Sequence, residues 1–163
     1  PPPGGLAPWA IVLLRPEATA RLRSPSLPLG KIIRPTLQEA AAVLDEPMAE
    51  GDAAIKAQGK RLLALGCKAV LIKGGHAVSE DAVDFLVTPS ATARLVARKI
   101  DTQNTHGTGC TLSSAIAAGL AKGQRLSEAV TDAKAYVTAA IEAADELEIG
   151  QGHGPTHHFH AWW

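Results

Sequence analysis

Hydrophobic and polar positions change period repeatedly along the chain, and the changes outline alternating strands and helices. Ala69-Val70-Leu71-Ile72 is an unbroken apolar run closed by Lys73-Gly74-Gly75, the pattern of a strand buried on both faces of a parallel sheet. Val130, Ala133, Val137, Ala140, Ile141 and Ala144 recur at three- and four-residue steps, which predicts a helix over about 127–147 with one apolar face. A small-residue helix is expected from about Thr111 to Lys122, ended by Gly123. Another is expected over Ala53 to Leu65, with Ile55, Leu62 and Leu63 among its apolar positions and Gly66 just past its end. Leu37 to Leu44 reads as a helical turn or short helix, stopped by the acidic loop at Asp45-Glu46-Pro47. Lys31-Ile32-Ile33 is a short strand before Pro35. Phe85-Leu86-Val87 and Arg94-Leu95-Val96-Ala97 are two further strands around a turn at Pro89-Ser90. From about Pro16 onward this alternation is that of an α/β layer fold, with no internal repeat.

Residues 1–26 match the pattern poorly, with 16–26 joining it only weakly. Pro1-Pro2-Pro3-Gly4-Gly5 is a poor opening for a packed element, and the first residue is not methionine. The expectation is an atypical Pro/Gly-rich leader, from a fragment, a processed chain or a disrupted reading frame. The apolar stretch Leu6 to Leu14 is short, contains Pro8 and lacks a basic start, so it reads as neither signal peptide nor membrane span.

Composition narrows the function classes. With 163 residues, formal net charge +0 and 46% hydrophobic residues, the chain fits one domain with a real core. Balanced charge gives no electrostatic reason to propose nucleic acid or an anionic membrane, which leaves small molecules as the expected partners. Two cysteines, Cys67 and Cys110, are too few for a disulfide framework, and a reducing cytoplasm is the expected setting.

The candidate chemistry is concentrated in Asn104-Thr105-His106-Gly107-Thr108-Gly109-Cys110-Thr111-Leu112-Ser113. Gly107 and Gly109, one residue apart, permit a tight turn that points successive backbone N–H groups at one place. The small-residue helix behind them aims its positive end there too. That is a pocket for an oxyanion, with the Cys110 sulfur at a helix N-terminus beside it. The plainer alternative is a glycine turn capping a helix, with Cys110 an ordinary small residue. Lys73-Gly74-Gly75-His76 follows the buried strand, at the sheet edge where open α/β folds bind ligands. By position alone Lys73 fits a phosphate-reaching cation and an end-of-strand lysine equally. Four histidines of the tail, His153, His157, His158 and His160, stand without a cysteine or carboxylate at metal-ligand spacing, so metal binding there is not expected.

The decapeptide, together with the ending Gly152-His153-Gly154-Pro155-Thr156-His157-His158-Phe159-His160-Ala161-Trp162-Trp163, resembles the bacterial hydroxymethylpyrimidine/phosphomethylpyrimidine kinases of thiamine biosynthesis, in the ribokinase superfamily. Most ribokinase-like enzymes have aspartate after the Gly-x-Gly turn. The pyrimidine kinases are similar to this chain in having cysteine there, which speaks against another sugar or vitamin kinase. The resemblance implies a ribokinase-like three-layer α/β/α sandwich, of which 27–163 is the C-terminal, nucleotide-facing part, incomplete at the N-terminal side. It implies ATP and Mg2+ as cofactors and an aminopyrimidine phosphorylated at its hydroxymethyl group and then at the monophosphate. It also implies a homodimer where the N-terminal part of the family's domain is present.

The resemblance further implies residue roles. The N–H groups of Gly107, Thr108, Gly109 and Cys110 stabilise the transferring phosphoryl group, and Cys110 takes the hydroxymethyl proton or positions that hydroxyl. Lys73 approaches the ATP phosphates, with Gly75 of the same turn and Lys134, in the family's Ala-Lys pair, near the nucleotide. Taken alone, Lys134 reads as an exposed helix lysine. Arg34-Pro35-Thr36-Leu37-Gln38-Glu39-Ala40 is similar to a superfamily Asn-x-x-Glu motif, so Glu39 matches the magnesium-organising glutamate while Thr36 departs from the asparagine. Read without the family, Glu39 is a first-turn helix acid complementing the dipole. The competing reading of the chain is a remnant that binds nucleotide or phosphate, or associates with another chain, without kinase activity.

Overall fold

The computed structural model describes residues 27–74 and 80–162. The predicted leader at 1–26, together with Gly75 and His76 of the predicted lysine turn, lies outside them. After a helical turn at Leu27–Leu29, the described elements are α1 (Leu37–Leu44), α2 (Gly51–Leu63), β1 (Val70–Lys73), β2 (Asp81–Val87), β3 (Thr92–Arg98), α3 (Thr108–Ala121) and α4 (Leu126–Glu142), followed by a 3-10 turn at Ala144–Glu146. The strands form one sheet in the order β1-β2-β3. Among the described residues the chain divides into two compact units, one of residues 27–74 and 83–95, the other of residues 80–82 and 96–162.

In the first unit, Leu62, Val70, Ile72, Phe85 and Val87 are each 1% exposed or less. Burying side chains of this size is worth about 1.5–3 kcal/mol apiece, so this cluster with Leu27, Leu37 and Val43 around it is what holds α1, α2 and the sheet together. The predicted β1 run is present, but its setting is mixed. On one side it pairs antiparallel with β2 in the register Val70↔Val87, Leu71↔Leu86, Ile72↔Phe85, Lys73↔Asp84. On the other it meets residues 33–36 through two parallel bridges, Ile33↔Val70 and Thr36↔Lys73. The predicted strand at 31–33 is therefore only a ragged edge, because Pro35 has no N–H to continue a ladder and α1 begins two residues later.

Helix ends also differ from expectation. α2 stops at Leu63 with Ala64 as its cap, two residues before the predicted end, and Gly66 takes a left-handed φ of 101° in the turn beyond. The strands at 85–87 and 94–97 are longer than their apolar cores suggest. They are joined by the predicted turn, where Thr88 N donates to Ala91 O at 2.8 Å and the Thr88 hydroxyl donates to the same carbonyl at 3.0 Å.

In the second unit, α3 and α4 pack together. Ala129, Val130, Ala133, Val137 and Ala140 form the buried stripe of α4, as the periodicity predicts. α4 ends at Glu142 instead of Leu147, and the last turn tightens to 3-10 at Ala144–Glu146 while Ala144 stays fully buried. The apolar spacing persisted through that change of hydrogen-bond pattern, which is why it read as one helix. At the start of α4, Arg125 N donates to Glu128 Oε2 at 3.0 Å and Arg125 Nε to Oε1 at 3.0 Å. α3 starts at Thr108, three residues before the predicted start, because Gly107 adopts φ 86° and turns the chain into the helix at once. Among the described residues no helix is long and apolar enough to cross a membrane.

Candidate active site

The earlier start of α3 changes the reading of the decapeptide. Gly107 is the N-cap and Thr108, Gly109 and Cys110 are the first three helical residues, so the whole Gly-Thr-Gly-Cys string forms the helix mouth. A left-handed φ of 86° suits glycine and strains most other residues. No side chain caps this end. The hydroxyls nearby are turned to other work: Thr108 Oγ1 donates to Thr105 O at 2.7 Å, Thr111 Oγ1 to Gly107 O at 2.9 Å and Ser113 Oγ to Gly109 O at 2.8 Å. Thr108 and Thr111 thus shape the turn, and the helix dipole faces an opening that an anion can occupy. Cys110 is exposed beside it.

The turn is held from behind by the histidine-rich ending. His106 N donates to Gly154 O at 3.1 Å and Thr156 N to His106 O at 3.2 Å, a parallel bridge of His106 with Pro155. Asn104 Oδ1 accepts from Gly154 N at 2.9 Å while Asn104 Nδ2 donates to Asp145 Oδ1 at 2.8 Å. His153 Nδ1 lies 3.1 Å from Gln103 O. Farther along, His157 is buried and its amide donates to Ala140 O at 2.8 Å, and Tyr136 Oη donates to His158 O at 2.7 Å. The two strings that carry the resemblance are therefore physically stitched together. His153 takes part in this stitching, His157 and His158 tie the ending to α4 through their backbones, and no cluster of metal-ligating side chains forms among the described residues.

An open groove of about 780 Å³ runs from this mouth along α3 and α4, lined among others by Gly107, Cys110, Ser114, Ala118, Tyr136 and Phe159. Lys134 lies on α4 of the same unit, half-buried, with its ammonium donating to Ala82 O at 3.0 Å.

Glu39 and Lys73 belong to the first unit and are brought close through Thr36. Lys73 N donates to Pro35 O at 2.9 Å, and Thr36 bridges Lys73. Thr36 also caps α1 reciprocally with Glu39: Glu39 N donates to Thr36 Oγ1 at 3.1 Å and Thr36 N to Glu39 Oε2 at 2.8 Å. The position that departs from the superfamily asparagine is thus an N-cap, a role that threonine fills well. Glu39 remains exposed, and a hard carboxylate oxygen there suits Mg2+.

One residue that motif reading passed over is Asp84. It is buried opposite Lys73, and its Oδ1 accepts from Gly74 N at 2.9 Å, fixing the backbone just after the lysine. The available signal was a carboxylate inside the apolar strand Val83-Asp84-Phe85-Leu86-Val87. Asn104 was visible as part of the motif, but its two-sided amide contact depends on residues 41 and 50 positions away.

Comparison with solved structures places the fold. A Bacillus subtilis pyridoxal kinase, solved as an ADP complex, superposes with TM-score 0.84 at 36% identity, over 91% of this chain and 57% of that one. A phosphomethylpyrimidine kinase of Clostridium difficile superposes with TM-score 0.65 at 40% identity, over 79% and 51%. The fold is of the ribokinase-like α/β class. Within it, residues 10–157 match the phosphomethylpyrimidine kinase family model, and the chain belongs to that family. The hydroxymethylpyrimidine/phosphomethylpyrimidine kinase of Rhizobium meliloti is 52% identical over 151 residues, which is 93% of this chain and 57% of that protein. The chain thus spans somewhat more than half the length of the curated relatives it matches.

Proposed function

We propose that this chain forms the nucleotide-facing part of an ATP-dependent kinase that phosphorylates 4-amino-5-hydroxymethyl-2-methylpyrimidine, and then its monophosphate, for thiamine biosynthesis. The observation that carries the reading is the uncapped mouth of α3 with Cys110 exposed beside it. Amides and dipole directed at one place stabilise charge on a transferring phosphoryl group, and phosphoryl transfer depends mainly on such positioning and charge. Cys110 holds or accepts the proton of the attacking hydroxyl. Lys73, Gly75 and Lys134 serve the nucleotide, and Glu39 would hold Mg2+, which supplies charge neutralisation at the phosphates when bound.

Nucleotide use is supported by the ADP-bound Bacillus subtilis pyridoxal kinase and by a Staphylococcus aureus pyridoxal kinase with AMP-PCP. Identity favours the pyrimidine over pyridoxal as acceptor, at 52% for the Rhizobium kinase against 36% for the Bacillus pyridoxal kinase. A homodimer acting in the cytoplasm is part of the same proposal. The test is a coupled assay of ADP release from Mg–ATP with the aminopyrimidine present or absent. Acceptor-dependent release supports the kinase, and nucleotide binding without such release supports the remnant reading instead.

A further inference from the structure

His106 immediately precedes the glycine whose left-handed φ opens the anion site, and both its main-chain groups are tied to residues 154–156. That tie is itself locked by one side chain. Asn104 offers an acceptor to Gly154 N at 2.9 Å and a donor to Asp145 Oδ1 at 2.8 Å, while its own N–H donates to Thr102 Oγ1 at 3.0 Å. Thr102 Oγ1 in turn donates to the same Asp145 oxygen. An amide is suited to this place because it donates at one end and accepts at the other, whereas a carboxylate would confront Asp145. Gly154 is equally constrained, since a Cβ there would stand 2.3 Å from Asn104 Oδ1.

We propose that Asn104 is a positioning residue for phosphoryl transfer: by clasping the 153–156 segment onto His106 it fixes the backbone entering Gly107, and so the aim of the amides at the mouth of α3. The inference rests on the phosphate reading of that mouth. It assigns the histidine-rich ending a task in the reaction, as the backing of the turn. Energetically, Asn104 replaces solvent by two directed hydrogen bonds at a point where a small rotation of one peptide redirects every amide after it.

The test compares the wild-type chain with Asn104→Ala, Gly154→Ala and the double variant by amide hydrogen exchange and by binding of Mg–AMP-PNP and of AMP. Losing the clasp removes one to two hydrogen bonds, an effect of about tenfold. The expected result is about tenfold faster exchange at His106, Thr111 and Thr156, whose amides are hydrogen-bonded across the clasp and the turn, with α4 unchanged. Mg–AMP-PNP should bind about tenfold more weakly, with AMP within about twofold of wild type. Gly154→Ala should reproduce these effects, and because its steric partner is gone, the double variant should be no worse than the poorer single one. Unchanged exchange at His106, Thr111 and Thr156 in folded variants, faster exchange throughout α4, or equal weakening of AMP and AMP-PNP would overturn the inference. Should the wild-type chain bind neither nucleotide, the phosphate reading falls, and the exchange data alone decide whether Asn104 sets the turn. If Asn104→Ala does not fold, Gly154→Ala supplies the same comparison.

Discussion

Asp84 accepts the backbone amide of Gly74 at 2.9 Å from directly across the β1–β2 ladder of Lys73, so a buried carboxylate sets the path of the chain just past the candidate nucleotide lysine. Asp84→Asn keeps an acceptor for that amide, and Asp84→Ala leaves it unsatisfied. Denaturant unfolding should show Asp84→Ala less stable by about 1–3 kcal/mol, the cost of a buried donor without a partner, and Asp84→Asn much less affected. Equal losses for the two variants would mean that the negative charge, and not the hydrogen bond, is what matters.

Cys110 is exposed at the mouth of α3 and carries no hydrogen bond needed by the fold among those described. Cys110→Ala should therefore preserve stability within about 0.5 kcal/mol. If the sulfur handles the hydroxyl proton, turnover falls by about two to four powers of ten while the affinity for Mg–ADP stays within a few-fold. Steady-state kinetics with parallel calorimetric titration of ADP separates the two quantities.

Thr36 and Glu39 cap α1 reciprocally. Thr36→Ala should cost about 0.5–2 kcal/mol, whereas Thr36→Asn, another favourable N-cap, should be close to neutral. Asparagine also restores the superfamily residue. Tighter Mg–ADP binding by Thr36→Asn is therefore expected, and unchanged binding would show that the threonine costs the nucleotide site nothing.

The two cysteines should separate by pH and reagent. Burial pushes the Cys67 thiol above its ordinary value, partly offset by a hydrogen bond from its own backbone amide. In its protonated form Cys67 Sγ donates to Leu62 O at 3.3 Å. A group whose folded pKa is raised adds stability that is complete below its unfolded pKa and fades as pH climbs through the folded one. Alkaline unfolding should thus begin earlier in wild type than in Cys67→Ala once each curve is normalised to its neutral-pH stability. Near neutral pH, iodoacetamide should label Cys110 in the native protein and reach Cys67 only on unfolding, which peptide mass spectrometry reads directly.

Much of this architecture was legible because its periodicities are strong. The α4 stripe, the β1 run and the Leu37–Leu44 helix lie where apolar spacing put them. Boundaries were less legible where backbone conformation decides them. Gly107 starts α3 three residues early through its φ, and Pro35 leaves the predicted strand at 31–33 with a single bridge, at Ile33. The candidate anion turn was readable as a local string, since adjacent residues build it. The Asn104–Gly154 clasp and the Asp84–Gly74 bond were not, because each is a pairing over distance that neither propensity nor spacing encodes.

The central claim is that the amides of Gly107 to Cys110 receive the phosphoryl group. A crystal structure of the chain with Mg–AMP-PNP tests it most directly. The account predicts γ-phosphate oxygens within about 2.7–3.2 Å, the ordinary hydrogen-bond range, of those amide nitrogens other than Thr108 N, which donates to Thr105 O at 3.3 Å. A γ-phosphorus bound elsewhere, with the mouth of α3 holding only solvent, would contradict it.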